Sequence, residues 1–125
     1  MAKQREIYVC AVCENIVEVE RGGKGKLSCC GQEMKLAVPN VTDAAEEKHV
    51  PVIEKKGDGI LVKVGSAEHP MTDDHYIVYI DICDDGIMRR RYLKPGMPPE
   101  AFFKCASEKA VAKEYCNKHG LWKSS

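Results

Sequence analysis

The sequence lacks an excess of charge of either sign. Its 125 residues include 19 Lys and Arg and 19 Asp and Glu, so the formal net charge is zero. Proteins that bind nucleic acid or an anionic membrane through their overall charge carry a surplus of basic residues. We therefore expect neither nucleic acid nor a membrane as a partner. We interpret the one basic run, Arg89-Arg90-Arg91, as a solvated strand or turn face rather than a docking patch.

Long apolar stretches are also missing. The longest, Tyr76 to Ile80, is far shorter than the roughly 20 residues that a helix needs to cross a bilayer. The first residues, Met1 to Glu6, are polar and charged, so no signal-peptide core precedes Cys10. These two absences predict a cytoplasmic protein.

Potential metal ligands, by contrast, are abundant. The chain has seven cysteines and four histidines, and in a reducing cytosol many cysteines in a short chain indicate metal binding before disulfides. Residues 1–36 hold four cysteines and no histidine, whereas residues 44–125 hold all four histidines. This division predicts a very small module, a linker over residues 37–43 and a second small domain, which the chain length allows.

The first candidate site is made of thiols alone. Cys10-x-x-Cys13 and the adjacent pair Cys29-Cys30 supply four sulfurs, and four sulfurs favour a tetrahedral zinc or iron ion. Neighbouring side chains on a strand point to opposite faces, so the adjacent pair requires a sharp bend, which Gly31 makes easier. We expect a distorted tetrahedron. A structural zinc knuckle and a pair of disulfides are the alternatives, and the spacing does not separate zinc from iron.

The second candidate site combines imidazoles with one thiol. His49, His69, His75 and the motif Cys116-x-x-His119 supply five ligands, which is one more than structural zinc prefers. Imidazoles with a thiolate suit iron or copper. A blue-copper site would normally have a methionine soon after the last histidine, and residues 120–125 contain none. The pattern favours a five-coordinate iron with one open position for an anionic oxygen ligand.

Two charged residues stand directly before the first of these histidines. Lys48 could place a positive charge beside the open position, and Glu47 could approach the metal as a sixth ligand. The alternative interpretation is a plain charged segment that precedes a strand.

Local patterns predict a mainly β chain. Short strands are expected at Tyr8-Val9, 16–19 and 26–28, then at 50–54, 60–64 and 76–82, with turns at 56–59 and 84–86 and a proline-rich loop at 95–99. Regular short strands favour a β-sandwich. Ser107 to Tyr115 is the exception, because its residues are helix formers after a serine placed to cap.

Several spaced motifs together resemble the desulfoferrodoxins, the two-iron class of superoxide reductases, over essentially the whole chain. The first cysteine cluster resembles the desulforedoxin module. The remaining motifs resemble the catalytic module, namely Glu47-Lys48-His49-Val50-Pro51, His69-Pro70-Met71, His75-Tyr76 and Glu114-Tyr115-Cys116-Asn117-x-His119-Gly120.

The resemblance implies a rubredoxin-like or desulforedoxin-like module with four cysteines, followed by an immunoglobulin-like β-sandwich, in a homodimer. It implies two irons per chain, one bound by Cys10, Cys13, Cys29 and Cys30. The other would have His49, His69, His75 and His119 in its equatorial plane and Cys116 as axial ligand. It also implies a strand over Ser107 to Tyr115, against the local preference.

The activity that follows from the resemblance is one-electron reduction of superoxide to hydrogen peroxide, without release of oxygen. Lys48 would attract the superoxide anion, Glu47 would fill the open position of the oxidised site, and a rubredoxin-like protein would donate electrons. Leu121 stands where the family often has another histidine, which is not a ligand. Cys83 and Cys105 match no ligand position, and we expect them to be small buried apolar residues, with a redox-linked pair as the alternative.

Overall fold

The computed structural model describes residues 2–41, 49–65 and 69–124. The chain forms two compact units, Met1–Val38 and Pro39–Ser125. Within the described residues all regular secondary structure is β-strand. No helix in these ranges has the length and apolar character needed to cross a membrane.

The first unit is a small sheet with an adjacent hairpin. Strand β1 lies between β2 and β5 in an antiparallel sheet, and β3 pairs with β4. The strands are β1 (Ile7–Val9), β2 (Ile16–Glu18), β3 (Ser28–Cys29), β4 (Gln32–Glu33) and β5 (Lys35–Ala37). Few apolar side chains are buried in this unit. Apart from Cys10, they are chiefly Ile7, Val19 and Met34. A core of this size gives little stability alone, so a bound metal is expected to contribute much of it.

The second unit is a β-sandwich of two antiparallel sheets. One sheet has the order β10-β7-β6 and the other has the order β12-β11-β8-β9. The strands are β6 (Pro51–Lys56), β7 (Gly59–Val64), β8 (Ile77–Asp84), β9 (Ile87–Tyr92), β10 (Glu100–Lys104), β11 (Val111–Cys116) and β12 (Gly120–Lys123). The facing sides of the sheets bury a continuous apolar core, to which β7 contributes Ile60, Val62 and Val64 and β8 contributes Ile80 and Ile82.

This architecture confirms the predicted mainly β fold class, a small cysteine module followed by a β-sandwich. The predicted turns at 56–59 and 84–86 are present, each joins the strands of a hairpin, and both use the left-handed backbone expected of tight hairpins. Gly57 has φ +56°, while Asp85 and Gly86 have φ +53° and +79°. Strands β4, β5, β10 and β12 were not predicted, because they are short or lack a run of β-branched residues.

The segment Ser107 to Tyr115 is a turn followed by a strand. Strand β11 begins at Val111, so the predicted strand is wrong for the first four residues and confirmed for the rest. The Ser107 hydroxyl accepts a hydrogen bond from the Lys109 amide at 3.0 Å, and the Ala110 amide donates to the Ser107 carbonyl at 3.1 Å. The serine therefore caps a turn rather than a helix.

The basic run on β9 is not uniformly solvated. Arg90 lies opposite Asp81 of β8 and donates to its Oδ2 at 2.7 Å, with only 13% of the arginine side chain exposed. Its guanidinium also lies 4.2 Å from the centre of the Tyr79 ring. Tyr79 and Asp81 lie on the same face of β8. The register of β8 with β9 therefore places the Arg90 side chain within reach of both. The prediction of a solvated run is wrong at this residue.

Two cysteines outside the candidate sites differ from expectation. Cys105 is exposed and Cys83 is partly buried, so the prediction that both are buried apolar residues is wrong. Cys105 follows the end of β10 with a φ of +61° in the crossover between the two sheets. Connections usually lie at the surface, and at Cys105 this one does, although Ala106 and Ala110 of the same connection pack into the core.

Candidate metal centres

Four thiols meet in the first unit. The turn between β1 and β2 carries Cys10 and Cys13, and the turn between β3 and β4 carries Cys30 directly after Cys29. Their four sulfurs all lie within 4.8 Å of one another. The Cys13 sulfur is 3.5 Å from that of Cys29, which is 3.9 Å from that of Cys30. Sulfurs about 2.3 Å from one tetrahedral ion are separated by about 3.8 Å, so the group fits a metal.

The backbone explains how adjacent cysteines face one point. Cys30 has φ +52° and Gly31 has φ +73°, so the chain bends sharply between the two strands of the hairpin. This confirms the predicted bend at the adjacent pair. In the first turn, the Cys13 amide donates to the Cys10 sulfur at 3.4 Å, and Glu14, with φ +68°, donates its amide to the Cys10 carbonyl at 3.0 Å.

The charge states of these thiols show why a cation suits the site. Amide hydrogen bonds from Cys13 and Val12 lower the pKa of Cys10 to about 6. Hydrogen bonds with Cys13 and the other thiols raise the pKa of Cys30 to about 12, and the thiol of Cys13 raises the pKa of Cys29 as well. One thiolate is thus favoured without metal, while four thiolates together require a positive ion.

Four imidazoles meet at one end of the sandwich. His49 precedes β6, His69 and His75 lie in the connection between β7 and β8, and His119 lies between β11 and β12. In the order 49, 69, 75 and 119, the centroids of neighbouring rings are 5.0, 4.9 and 5.0 Å apart, and those of 119 and 49 are 4.7 Å apart. The planes of neighbouring rings make angles of 72–78°. We call these four residues the histidine square.

The dimensions of the histidine square match equatorial coordination of one ion. Nitrogens about 2.1 Å from the metal place neighbouring ring centres about 4.6 Å apart and neighbouring nitrogens about 3.0 Å apart. The His49 Nε2 and His119 Nδ1 atoms are 3.0 Å apart. Donor atoms of His49, His75, Cys116 and His119 all lie within 4.8 Å of one another. His69 is in the square but outside this tighter group.

Burial and hydrogen bonding prepare the imidazoles as neutral ligands. His69 is 2% exposed, and burial lowers its pKa to about 4. Its Nδ1 lies 2.7 Å from the Pro70 carbonyl oxygen and therefore carries the proton, which leaves the Nε2 lone pair available. The Nε2 atoms of His69 and His75 are buried and have no hydrogen-bond partner among the described residues. Burial also lowers the pKa of His75, and nearby His119 adds to the effect.

Cys116 lies beside the histidine square at the end of β11. Its side chain is fully buried, and its sulfur is 3.8 Å from Nδ1 of His119. Burial raises the pKa of this thiol, while amide hydrogen bonds from Lys118 and His119 oppose the increase. Without a cation the thiol keeps its proton. A metal would bind the thiolate on the buried side of the square, where these amides would support its charge.

Trp122 is a member of the site that the sequence reasoning missed. Its ring stacks on His49 with centroids 4.7 Å apart and an angle of 18°, and its indole N–H donates to the His119 carbonyl at 3.0 Å. It thereby supports two members of the square. The signal was its position three residues after His119 as the only tryptophan of the chain.

Two predicted site residues cannot be compared with the structure. Glu47 and Lys48 lie outside the described residues. All nine predicted metal ligands lie within them, four in the thiol group and five in the histidine square with Cys116.

Comparison with known proteins gives the same division of the chain. The desulfoferrodoxin family model matches residues 41–125, and the model of the desulfoferrodoxin N-terminal domain matches residues 2–37. A desulfoferrodoxin homolog from Archaeoglobus fulgidus is 52% identical over 124 residues, which cover 99% of each chain. The superoxide reductase of Pyrococcus abyssi is 37% identical over 97 residues, covering 62% of this chain and 84% of that protein.

A solved structure has the same fold. The superoxide reductase from Treponema pallidum matches with a TM-score of 0.76 at 24% identity, and the match covers 99% of this chain and 100% of the other. The family matches and the two donor groups confirm the prediction of one all-thiolate metal site and one imidazole and thiolate site. The chain belongs to the desulfoferrodoxin family.

Proposed function

We propose that this protein is a superoxide reductase, which converts superoxide to hydrogen peroxide by adding one electron and two protons. The observation that carries the proposal is the histidine square with the buried Cys116 thiol beside it. The superoxide reductases of Pyrococcus abyssi and other organisms are relatives of this chain. The histidine square and Cys116 would hold a ferrous iron, which would supply the electron.

The nine ligands divide between two irons. Cys10, Cys13, Cys29 and Cys30 would hold the first iron. The four histidines of the square and Cys116 would hold the second. Cys116 and His69 are buried, whereas His119 is exposed, so a small anion can reach the square from solvent at His119.

Each residue around the second iron has a separate role. The Cys116 thiolate would donate electron density to the bound metal and so favour electron transfer. Lys48 would raise the local concentration of the superoxide anion and, with ordered water, deliver protons. Glu47 would supply a carboxylate ligand to the oxidised metal when superoxide is absent.

The remaining assignments follow from the family and from the thiols. We assign residues 1–36 to a desulforedoxin-like module, 37–43 to a linker and 44–125 to the catalytic module, which the two family matches support. No disulfide joins the cysteines that the structure describes, which favours a reducing cytoplasm. We further propose a homodimer that receives electrons from a rubredoxin-like protein and takes part in detoxification under oxidative stress.

A superoxide pulse given to the reduced, iron-loaded protein tests the function. We expect fast oxidation of the second iron, with one peroxide formed per iron and no oxygen released. Cys116→Ser should slow this oxidation strongly, whereas Cys105→Ser, which removes an exposed thiol that is not a predicted ligand and whose amide bonds to Asp58 in the β6–β7 turn, should leave it unchanged. Slow oxidation in the unmodified protein would instead indicate a two-centre iron protein that only transfers electrons.

A further inference from the structure

Asn117 connects two of the three segments that carry ligands of the second centre. It lies between Cys116 and His119, and its backbone amide donates to the Tyr76 carbonyl at 3.1 Å. Its side chain also bonds to the connection between β7 and β8. The Oδ1 atom accepts the Tyr76 amide at 2.9 Å, and the Nδ2 atom donates to the Asp74 carbonyl at 3.0 Å.

These two side-chain bonds bracket His75. Asp74 and Tyr76 are its neighbours on either side in the chain, so Asn117 holds the backbone both before and after this histidine. Backbone amides only donate and carbonyls only accept, so the orientation of the carboxamide is fixed. A carboxylate could accept from Tyr76 but could not donate to Asp74, and an apolar side chain could do neither.

Regular strand pairing does not provide this connection. The β8–β11 ladder becomes irregular between Tyr115 and Cys116, where Cys116 pairs with Ile77. His75 lies beyond that end, and its own backbone bonds are to Thr72 within the same loop, at 2.9 and 3.3 Å. Among the residues that the structure describes, the side chain of Asn117 therefore extends the hydrogen bonding between the two chain segments. It continues from the last residue pair of β8 and β11 to the backbone around His75.

We propose that Asn117 is a positioning residue for the second metal centre, and that it sets the distance of His75 from Cys116. Removal of a group that orients a metal ligand typically weakens metal binding by about 10–100-fold. The inference rests on the His75 and Cys116 ligands of the proposed function, and it does not depend on the reaction with superoxide.

The test measures iron retention in the full-length, iron-loaded protein under anaerobic conditions. Each variant is equilibrated with increasing concentrations of a ferrous chelator. Occupancy of the second centre is followed by the fluorescence of Trp122, which stacks on His49 and is the only tryptophan. We expect Asn117→Ala to lose iron at a chelator concentration about 10–100-fold lower than the unmodified protein does.

A double-mutant cycle separates positioning from general destabilisation. Asn117 acts through His75 in this proposal, so Asn117→Ala should change iron retention by no more than about threefold when His75→Ala is already present. Asn117→Asp, which keeps the acceptor for the Tyr76 amide, should show the same dependence on His75 and serves if the alanine variant does not fold.

The matched control is Asn40→Ala. The Asn40 side chain also donates to a backbone carbonyl, that of Leu121 at 3.3 Å, and this acceptor is not next to a predicted ligand in the chain, so its loss should leave iron retention unchanged. Equal losses from Asn117→Ala in both backgrounds, or full retention in the unmodified background, would overturn the positioning role. Full retention in His75→Ala alone would overturn the assignment of His75 as a ligand, and the role of Asn117 with it.

Discussion

Acid should destabilise the metal-free second unit well before carboxylates titrate. Burial lowers the pKa of His69 from the ordinary 6.5 to about 4 in the folded chain. The unfolded chain therefore binds this proton more readily than the folded chain. The stability that His69 contributes is fully present above pH 6.5 and is lost as the pH falls from 6.5 toward 4.

The size of the effect follows from the shift. Each pH unit within the window costs about 1.4 kcal/mol for one group, so lowering the pH from 6.5 to 5 removes at most about 2 kcal/mol. The pKa of His75 is also lowered, so its contribution has the same sign. Denaturant slopes of about 1–3 kcal/mol per molar urea convert this loss into a midpoint shift of about 1 M.

The assay is urea unfolding of the metal-free protein at several pH values between 7 and 5, followed by the fluorescence of Trp122. The comparison variant is His69→Gln, whose amide does not titrate, so its midpoint should depend less on pH. Iron-loaded protein should keep its midpoint to lower pH, because the metal occupies the nitrogen that would take the proton. Equal pH slopes for His69→Gln and the unmodified chain would refute the reasoning.

Other changes probe the remaining parts of the molecule. Lys48→Ile should slow the reaction with superoxide and flatten its ionic-strength dependence in pulse experiments, and an unchanged rate would contradict the attraction of the anion. Glu14→Gly should stabilise the first unit by about 0.5–1 kcal/mol in urea unfolding, because φ +68° strains any residue with a side chain. Cys10→Ser should remove the absorption of the first iron alone, and loss of superoxide reduction would show that the centres are coupled.

The cysteine cluster shows how much a short motif can predict. The spacing of Cys10 and Cys13, followed by an adjacent pair and Gly31, was sufficient to predict four sulfurs at one point and a sharp bend. These residues are close in sequence, so local turn geometry brings them together. The left-handed conformation of Cys30 is a direct consequence of the adjacent pair.

The second centre was harder to predict from spacing, because its ligands come from distant parts of the chain. His49 and His119 are 70 residues apart, yet their nitrogens lie 3.0 Å from each other. The motifs of the family identified these residues as a set, whereas single histidines carried little information. Asn117 belongs to one of these motifs and Trp122 follows it closely, but the motif did not predict their hydrogen bonds, since these depend on which backbone groups come into reach.

Local sequence also failed where the register decided the outcome. Ser107 to Tyr115 has helical preference, but pairing of β11 with β8 and β12 imposes a strand from Val111 onward. Arg90 is drawn into an ion pair because the register places it opposite Asp81. Tertiary pairing overrides local preference in both cases.

The sequence by itself determined the number of metal sites, the ligand types and the mainly β character, because these depend on residue identity and short-range spacing. Only the tertiary structure decided the arrangement of the histidine square, the burial of Cys116 and the supports at Trp122 and Asn117. These features depend on contacts between strand ends that are far apart in the chain. Such contacts form only when the two sheets pack and bury their shared core.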